Sequence, residues 1–167
     1  MVKLDKFLVM NMSILSLIFG AILGLLAPVP YIGAIVLMLI LLMSAPLVII
    51  YMIMDGRLDL TTATDSIING AIIGFCSNIT FSVMYAVVMV ILSKVFHYTP
   101  NMFLTSMIVG SPFWLLITFI IFIGVLCATT NAFSGFVTYY IINLIRDIYE
   151  KNHPQDFSKR DDFNKRL

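Results

Sequence analysis

The feature that most constrains this chain is the length of its stretches without a charged side chain. Residues 7–54, 66–93 and 95–145 contain no Asp, Glu, Lys or Arg and run for 48, 28 and 51 residues. A helix of about 20 apolar residues already crosses the hydrocarbon core of a bilayer. The chain is therefore predicted to be an integral membrane protein, and the lipid bilayer is its first expected partner.

Composition supports this prediction and narrows the function classes. Of the 167 residues, 11% are charged, against about 25% in soluble domains. The formal net charge is +1, with no basic stripe, so no nucleic-acid partner is expected. Cys76 and Cys127 lie inside apolar runs and form no CxxC pair, so neither a redox motif nor a zinc site is indicated. We expect no cofactor.

Prolines and short polar segments divide the charge-free runs into helices. Pro28 and Pro30 disfavour helix and separate the first run into an antiparallel hairpin. Within the second helix of that hairpin, Pro46 should produce a kink and free a backbone carbonyl, which Ser44 could partly satisfy. The sequence predicts an all-α bundle with a transmembrane domain over residues 1–145. Its four predicted spans cover about residues 8–27, 31–54, 66–93 and 113–144.

Two segments leave alternatives open. Residues 101–110 are apolar but too short to cross, so they lie in the interface or re-enter the membrane. A split of the last run near residues 128–135 would give five or six spans instead of four. Residues 146–167 hold 11 of the 19 charges and are predicted to be a solvated tail, helical at first and stopped by Pro154.

The positions of lysine and arginine predict the orientation. With four spans, one side of the membrane has only Lys94. The other side collects Lys3, Lys6, Arg57, Arg146 and Lys151. Because cytoplasmic segments near spans are enriched in Lys and Arg, both termini are predicted to face the cytoplasm of a multi-pass cell-membrane protein.

A pair of glycine-rich pentapeptides carries the clearest short-range pattern. Residues 20–24 read GAILG and residues 70–74 read GAIIG. Small residues spaced by four let another helix approach closely in lipid. We therefore predict helix packing at Gly20, Gly24, Gly70, Gly74 and Gly124. A phosphate-binding loop is not indicated, because neither copy follows a strand or precedes GK[ST]. Internal duplication of the chain remains an alternative explanation of the repeat.

Polar residues inside the third and fourth spans form a second candidate constellation. Asn78 and Thr80 lie in the third span, and Thr130 and Asn131 lie in the fourth. They could line a small polar cavity. The favoured interpretation is hydrogen bonding between helices, because hydroxyl and amide side chains commonly join helices in lipid.

No Asp, Glu, Lys or Arg lies within a predicted span, and this restricts the activities that the chain can have. Proton-coupled carriers generally need an ionisable group in the membrane. Only the loop residues Asp55, Asp59 and Asp65 could serve an enzyme, and their spacing is too weak a signal, so no enzyme is predicted. The leading hypothesis is a structural or assembly component that contacts a second copy or another membrane protein. A small oligomeric channel or uncharged-solute transporter is the alternative.

The layout resembles the small four-span integral membrane proteins of prokaryotes whose function is unknown. The resemblance is carried by GAIIGF at the start of the third span, residues 70–75, and by the proline-bearing turn at residues 28–30. It covers residues 8–145. It implies a four-helix membrane bundle and no particular activity.

Overall fold

The computed structural model describes residues 6–56, 58 and 62–152, and all of its regular elements are helices. The first span is α1. The second span consists of α2, a π-helical turn and α3. The third span is α4, the fourth is α6, and α5 lies between them. In chain order the elements are α1 (Lys6–Leu26), α2 (Gly33–Met38), the π-helical turn (Leu39–Met43), α3 (Ser44–Met54), α4 (Ala63–Lys94), α5 (Met102–Gly110) and α6 (Phe113–Asn152).

In the part of the chain that the structure describes, four helices are long and apolar enough to cross a bilayer. They are Phe7–Leu26, Gly33–Met54, Ala63–Lys94 and Phe113–Tyr149. The prediction of an all-α bundle with four spans is confirmed. Helix α6 continues without a break through residues 128–135, so the alternative split into five or six spans does not occur.

Two span boundaries differ from the prediction by three residues or more. The third span begins at Ala63, three residues before the predicted start, because the side-chain oxygen of Thr62 caps it and accepts a hydrogen bond of 3.1 Å from the Asp65 N–H. Asp65 occupies the first turn of the helix, where a carboxylate interacts favourably with the helix dipole. At the other end of the chain, α6 extends past residue 144 to Asn152. Residues 153–167 of the predicted tail lie outside the described residues.

The short helix α5 occupies the segment that the sequence left ambiguous. The side chain of Asn101 caps it by accepting a hydrogen bond of 3.1 Å from the Leu104 N–H. With nine residues, α5 is too short to cross the membrane. It packs against α4, and Thr105 is its buried residue.

Helix α4 is the centre of the bundle. Gly20 and Gly24 of α1 meet the backbone of Ser77 and Phe81 of α4 in ascending order, so these two helices run parallel. On α6, residues 127, 131 and 135 meet residues 74, 70 and 66 of α4 in descending order, so α6 is antiparallel to α4. The start of α1 and the end of α6 therefore lie at the same end of the bundle, which we call the termini end. The basic residues Lys3 and Arg57 used for the predicted orientation lie outside the described residues.

Two apolar clusters and a polar layer between them form the interior. The cluster nearer the termini end consists of Met12, Ala45, Val48, Ile49, Met52, Leu58 and Ile73. The cluster at the far end consists of Leu23, Val36, Ile40 and Phe81. Between them, each span contributes buried polar or sulfur-bearing side chains, and we call this set the polar layer. It comprises Ser16, Ser44, Ser77, Asn78, Cys127 and Asn131.

Candidate functional site

The α-helix of the second span is interrupted where it passes through the polar layer. Residues 39–43 form a π-helical turn, and Pro46 follows in the first turn of α3. Proline has no N–H to donate, and π-helical turns are rare local disruptions that are frequent at functional sites. The predicted disruption near Pro46 is thus present as a π-helical turn before the proline. In lipid, the backbone groups that such a break releases need partners from elsewhere in the protein.

Asn131 of α6 supplies those partners. The Ala45 N–H donates to Asn131 Oδ1 over 2.9 Å, and Asn131 Nδ2 donates to the Leu41 carbonyl over 3.0 Å. In a regular α-helix, the Ala45 N–H and the Leu41 carbonyl would bond to each other. The carboxamide of Asn131 therefore inserts into the hydrogen-bond ladder of the second span and satisfies both groups.

Further hydrogen bonds fix the Asn131 side chain in this position. Ser44 Oγ donates to Asn131 Oδ1 over 2.7 Å. Asn131 Nδ2 also lies within hydrogen-bond distance of the carbonyls of Ile40, at 3.2 Å, and Cys127, at 3.0 Å. Next to it, Thr130 Oγ1 lies 2.9 Å from the Leu41 carbonyl. We call Ser44, Thr130, Asn131 and the backbone of residues 40, 41 and 45 the Asn131 clamp.

Asn78 on α4 has a different environment, although it lies close by. Cys127 Sγ donates to Asn78 Oδ1 over 3.3 Å, and this is a weak hydrogen bond. Asn78 Nδ2 is buried and has no hydrogen-bond partner among the described residues. It lies beside Gly124, where a Cβ atom would stand 3.6 Å from Nδ2. One donor in the polar layer is therefore left without the hydrogen bonds that a buried amide normally has.

The two glycine-rich pentapeptides contact different helices. Gly20 and Gly24 of the first lie against α4, where a Cβ atom on Gly24 would stand 2.6 Å from the Phe81 carbonyl oxygen. Gly70 and Gly74 of the second lie against α6, and a Cβ atom on Gly74 would stand 2.6 Å from Asn131 Cβ. The absence of a side chain at Gly74 therefore leaves room for the Cβ atom of Asn131.

Gly124 and Gly135 show how closely α4 and α6 approach elsewhere. A Cβ atom on Gly124 would meet the Phe75 ring at 3.1 Å, a looser contact. The contact at Gly135 is closer, because a Cβ atom there would stand 2.5 Å from the Ser66 carbonyl oxygen. In addition, Ser66 Oγ donates to the Gly135 carbonyl over 2.6 Å.

Gly135 was not among the predicted packing glycines, and its four-residue spacing from Asn131 was the available signal. Ser44 was expected to satisfy a backbone carbonyl near Pro46, and its Oγ lies 3.2 Å from the Ile40 carbonyl.

Thr80, like Asn78, is a candidate polar residue that does not belong to the Asn131 clamp. Its Oγ1 donates to the Cys76 carbonyl of its own helix over 3.1 Å. The groups at the polar layer are amides, hydroxyls and a thiol, which can hold helices together or bind neutral polar groups.

Of the loop carboxylates, Asp55 and Asp65 lie at the ends of two spans, and Asp59 lies outside the described residues. Within the described part of the chain, no three His, Cys, Asp or Glu side chains are grouped as metal ligands.

No protein-family model matches this chain, and neither a curated protein nor a solved structure matches it. The resemblance to four-span prokaryotic membrane proteins therefore stays a prediction, and the function is argued from the geometry of the chain itself.

Proposed function

We propose that this protein is a non-enzymatic structural or assembly component of the cell membrane, with both termini in the cytoplasm. It would hold a rigid four-helix frame and present the end of α6 to a second copy or to another membrane protein. The observation that carries this proposal is the continuation of α6 beyond the ends of the other described helices.

The extension of α6 can be measured against α4. Gly135 is level with Ser66, three residues from the start of α4, and Tyr139 and Ile142 pack on the cluster that contains Leu58. From Ile142 to Asn152 the helix rises by about 15 Å. We call residues 140–152 the α6 arm. The first turn of the arm still contacts this cluster through Ile142, and the rest of the arm carries Arg146, Asp147 and Lys151.

One face of the α6 arm is apolar and open. Ile141, Leu144, Ile145 and Ile148 are each more than half exposed. Their spacing of i, i+3, i+4 and i+7 places them on one stripe of the helix. An apolar stripe on a helix that also carries charges is suited to packing against another helix where the span leaves the hydrocarbon core. The interior contacts support a frame function, because the clamp and the close glycine contacts hold the helices that anchor the arm.

The test replaces the stripe and leaves the bundle unchanged. We expect Ile145→Glu combined with Ile148→Glu to abolish a self-association or partner contact that chemical crosslinking detects in intact membranes and light scattering detects after extraction. Asp147→Ala, on the same arm, is the matched control and should leave the contact intact. A wild-type chain that is monomeric and acquires no crosslinks, with or without residues 152–167, would overturn the proposal.

Orientation is tested separately from assembly. Single cysteines at Lys94 and Lys151 should react differently with a membrane-impermeant maleimide added outside intact cells, since the two positions lie at opposite ends of the bundle. We expect labelling at position 94 and none at position 151. The reverse pattern would place the termini outside and refute the cytoplasmic location.

Transport of a small neutral solute is the second candidate, and it is favoured by Asn78 Nδ2, which has no partner among the described residues. An unsatisfied buried donor in the same polar layer as a π-helical turn could bind a permeating polar molecule, as discontinuous helices do in transporters. Purified protein in liposomes should then accelerate the flux of water or urea, and Asn78→Leu should remove that flux. Equal fluxes in protein-free and protein-containing liposomes would exclude this function.

A further inference from the structure

A cleft of about 200 Å³ opens between the first span and α3 near the termini end. Ile14 and Ile18 of α1 line one part of it, and Asn11, Tyr51 and Asp55 line another. Met52, which is buried, forms part of its wall. None of these residues belongs to the polar layer or to the α6 arm.

The cleft is graded from apolar to polar along the membrane normal. Ile14 and Ile18 are about half exposed, at 48% and 53%, on a span that is apolar throughout, so this part opens toward lipid tails. Asn11 lies nearer the start of α1, and Asp55 directly follows the last residue of α3. From Ile18 to Asn11 the helix rises by about 10 Å. The polar groups are therefore at the level where headgroups meet the hydrocarbon core, and the isoleucines are at acyl-chain depth.

The polar groups of the cleft favour one headgroup chemistry. Asp55 contributes a carboxylate, which attracts an ammonium group and repels a net anionic headgroup. The Asn11 amide and the Tyr51 hydroxyl can donate hydrogen bonds to phosphate or ester oxygens. Asp55 also takes part in another interaction within the chain, and a carboxylate with about four acceptor positions can bind more than one donor.

We propose that this cleft binds one phospholipid with a primary-amine headgroup, of the phosphatidylethanolamine type. One acyl chain lies along Ile14 and Ile18. The ammonium group donates to Asp55, and the phosphate accepts from Asn11 and Tyr51. A primary ammonium is favoured over a quaternary one because it can form charge-assisted hydrogen bonds to the carboxylate.

Native mass spectrometry of the full-length protein in detergent tests this proposal. The protein is titrated with phosphatidylethanolamine, phosphatidylcholine and phosphatidylglycerol that carry identical chains. We expect one tightly bound molecule, with phosphatidylethanolamine preferred about two- to fivefold, the range typical of a partly exposed ion pair. Asp55→Asn should remove the preference and leave residual binding of all three lipids. Ile18→Trp should lower the occupancy of all three by filling the chain part of the cleft.

Two matched variants separate the cleft from general effects of substitution. Asp147→Asn removes an exposed carboxylate on the α6 arm, and Ile22→Trp enlarges an exposed side chain on α1 outside the cleft. Both should behave as wild type. Equal affinity for the three lipids, an unchanged preference in Asp55→Asn, or identical occupancy in Ile18→Trp and Ile22→Trp would each overturn the proposal.

Discussion

Asn131 and Asn78 are the same type of side chain on two helices that pack against each other. Both are buried, and Cys127 contacts both, bonding to Asn131 through its carbonyl and to Asn78 through its thiol. Yet Asn131 uses both amide atoms in several short hydrogen bonds, whereas Asn78 receives one weak bond, and its Nδ2 has no partner among the described residues.

The difference lies in what each amide faces. Asn131 faces the π-helical turn of the second span, where it accepts from the Ala45 N–H and donates to the Leu41 carbonyl. Asn78 faces Gly124 on a regular helix, whose backbone groups are already paired within the helix. A buried amide in a membrane bundle thus stabilises the fold most where a neighbouring helix has backbone N–H and C=O groups that can bond to it.

The largest expected effect comes from closing the space beside each asparagine. Gly74→Ala should destabilise the bundle by about 2–3 kcal/mol, because the added Cβ atom overlaps Asn131 Cβ and the Cys127 carbonyl and forces a shift of the helices. Gly124→Ala, next to Asn78, should cost about 1 kcal/mol or less, since the Phe75 ring can move. Steric trapping in bicelles gives both unfolding free energies.

Gly110→Ala is the matched control for the glycine pair, because a Cβ atom there meets nothing within 4 Å. The unfolding free energy of this variant should be close to that of the wild type. Equal destabilisation by Gly74→Ala and Gly124→Ala would contradict the difference in packing around the two asparagines.

Asn131→Leu is expected to have the next largest effect. It removes the partners of Ser44, Ala45 and Leu41 while keeping a similar side-chain size, and it should lower the unfolding free energy by about 2 kcal/mol. That is more than the average of about 0.6 kcal/mol for a hydrogen bond between membrane helices, because one side chain here serves several backbone groups. The same steric-trapping measurement applies, and a loss below about 0.5 kcal/mol would be too small for the clamp described.

Asn78→Leu should have the smallest effect. It gives up one weak hydrogen bond and removes an unsatisfied buried donor, so the unfolding free energy should change by less than about 0.5 kcal/mol or rise. The variant should also extract and run on a sizing column as the wild type does. A destabilisation as large as that of Asn131→Leu would show that Asn78 Nδ2 has a partner, such as a buried water.

The general architecture could be predicted from the sequence because it follows from local rules. Charge-free runs and the turn at Pro28 and Pro30 give the four spans, and the glycine at position 56 after the second span adopts a positive φ of 68°. The early start of the third span was missed because Thr62, Asp65 and Ser66 are all acceptable caps, and the choice among them depends on the surrounding structure.

The candidate site could be predicted only in part. The sequence indicated Asn131 and a disruption near Pro46, but it did not indicate that the two are in contact. Ala45, beside the disruption, and Asn131 are separated by 86 residues in the chain. Which residue of α6 meets the break depends on how α4 and α6 fit together at Gly70 and Gly74, and no local pattern encodes that register. For the same reason the weak contacts of Asn78 could not be distinguished from the strong ones of Asn131.

The central claim is that Asn131 holds the broken second span to α6, and a double-mutant cycle tests it most directly. The cycle combines Ser44→Ala with Asn131→Leu, and a second cycle combines Ser44→Ala with Asn78→Leu. The account predicts a coupling free energy between Ser44 and Asn131 of about 0.6–1.7 kcal/mol, between the average and the largest coupling measured for hydrogen bonds between membrane helices. Coupling between Ser44 and Asn78 should be near zero. Equal coupling in the two cycles, or none between Ser44 and Asn131, would contradict the account.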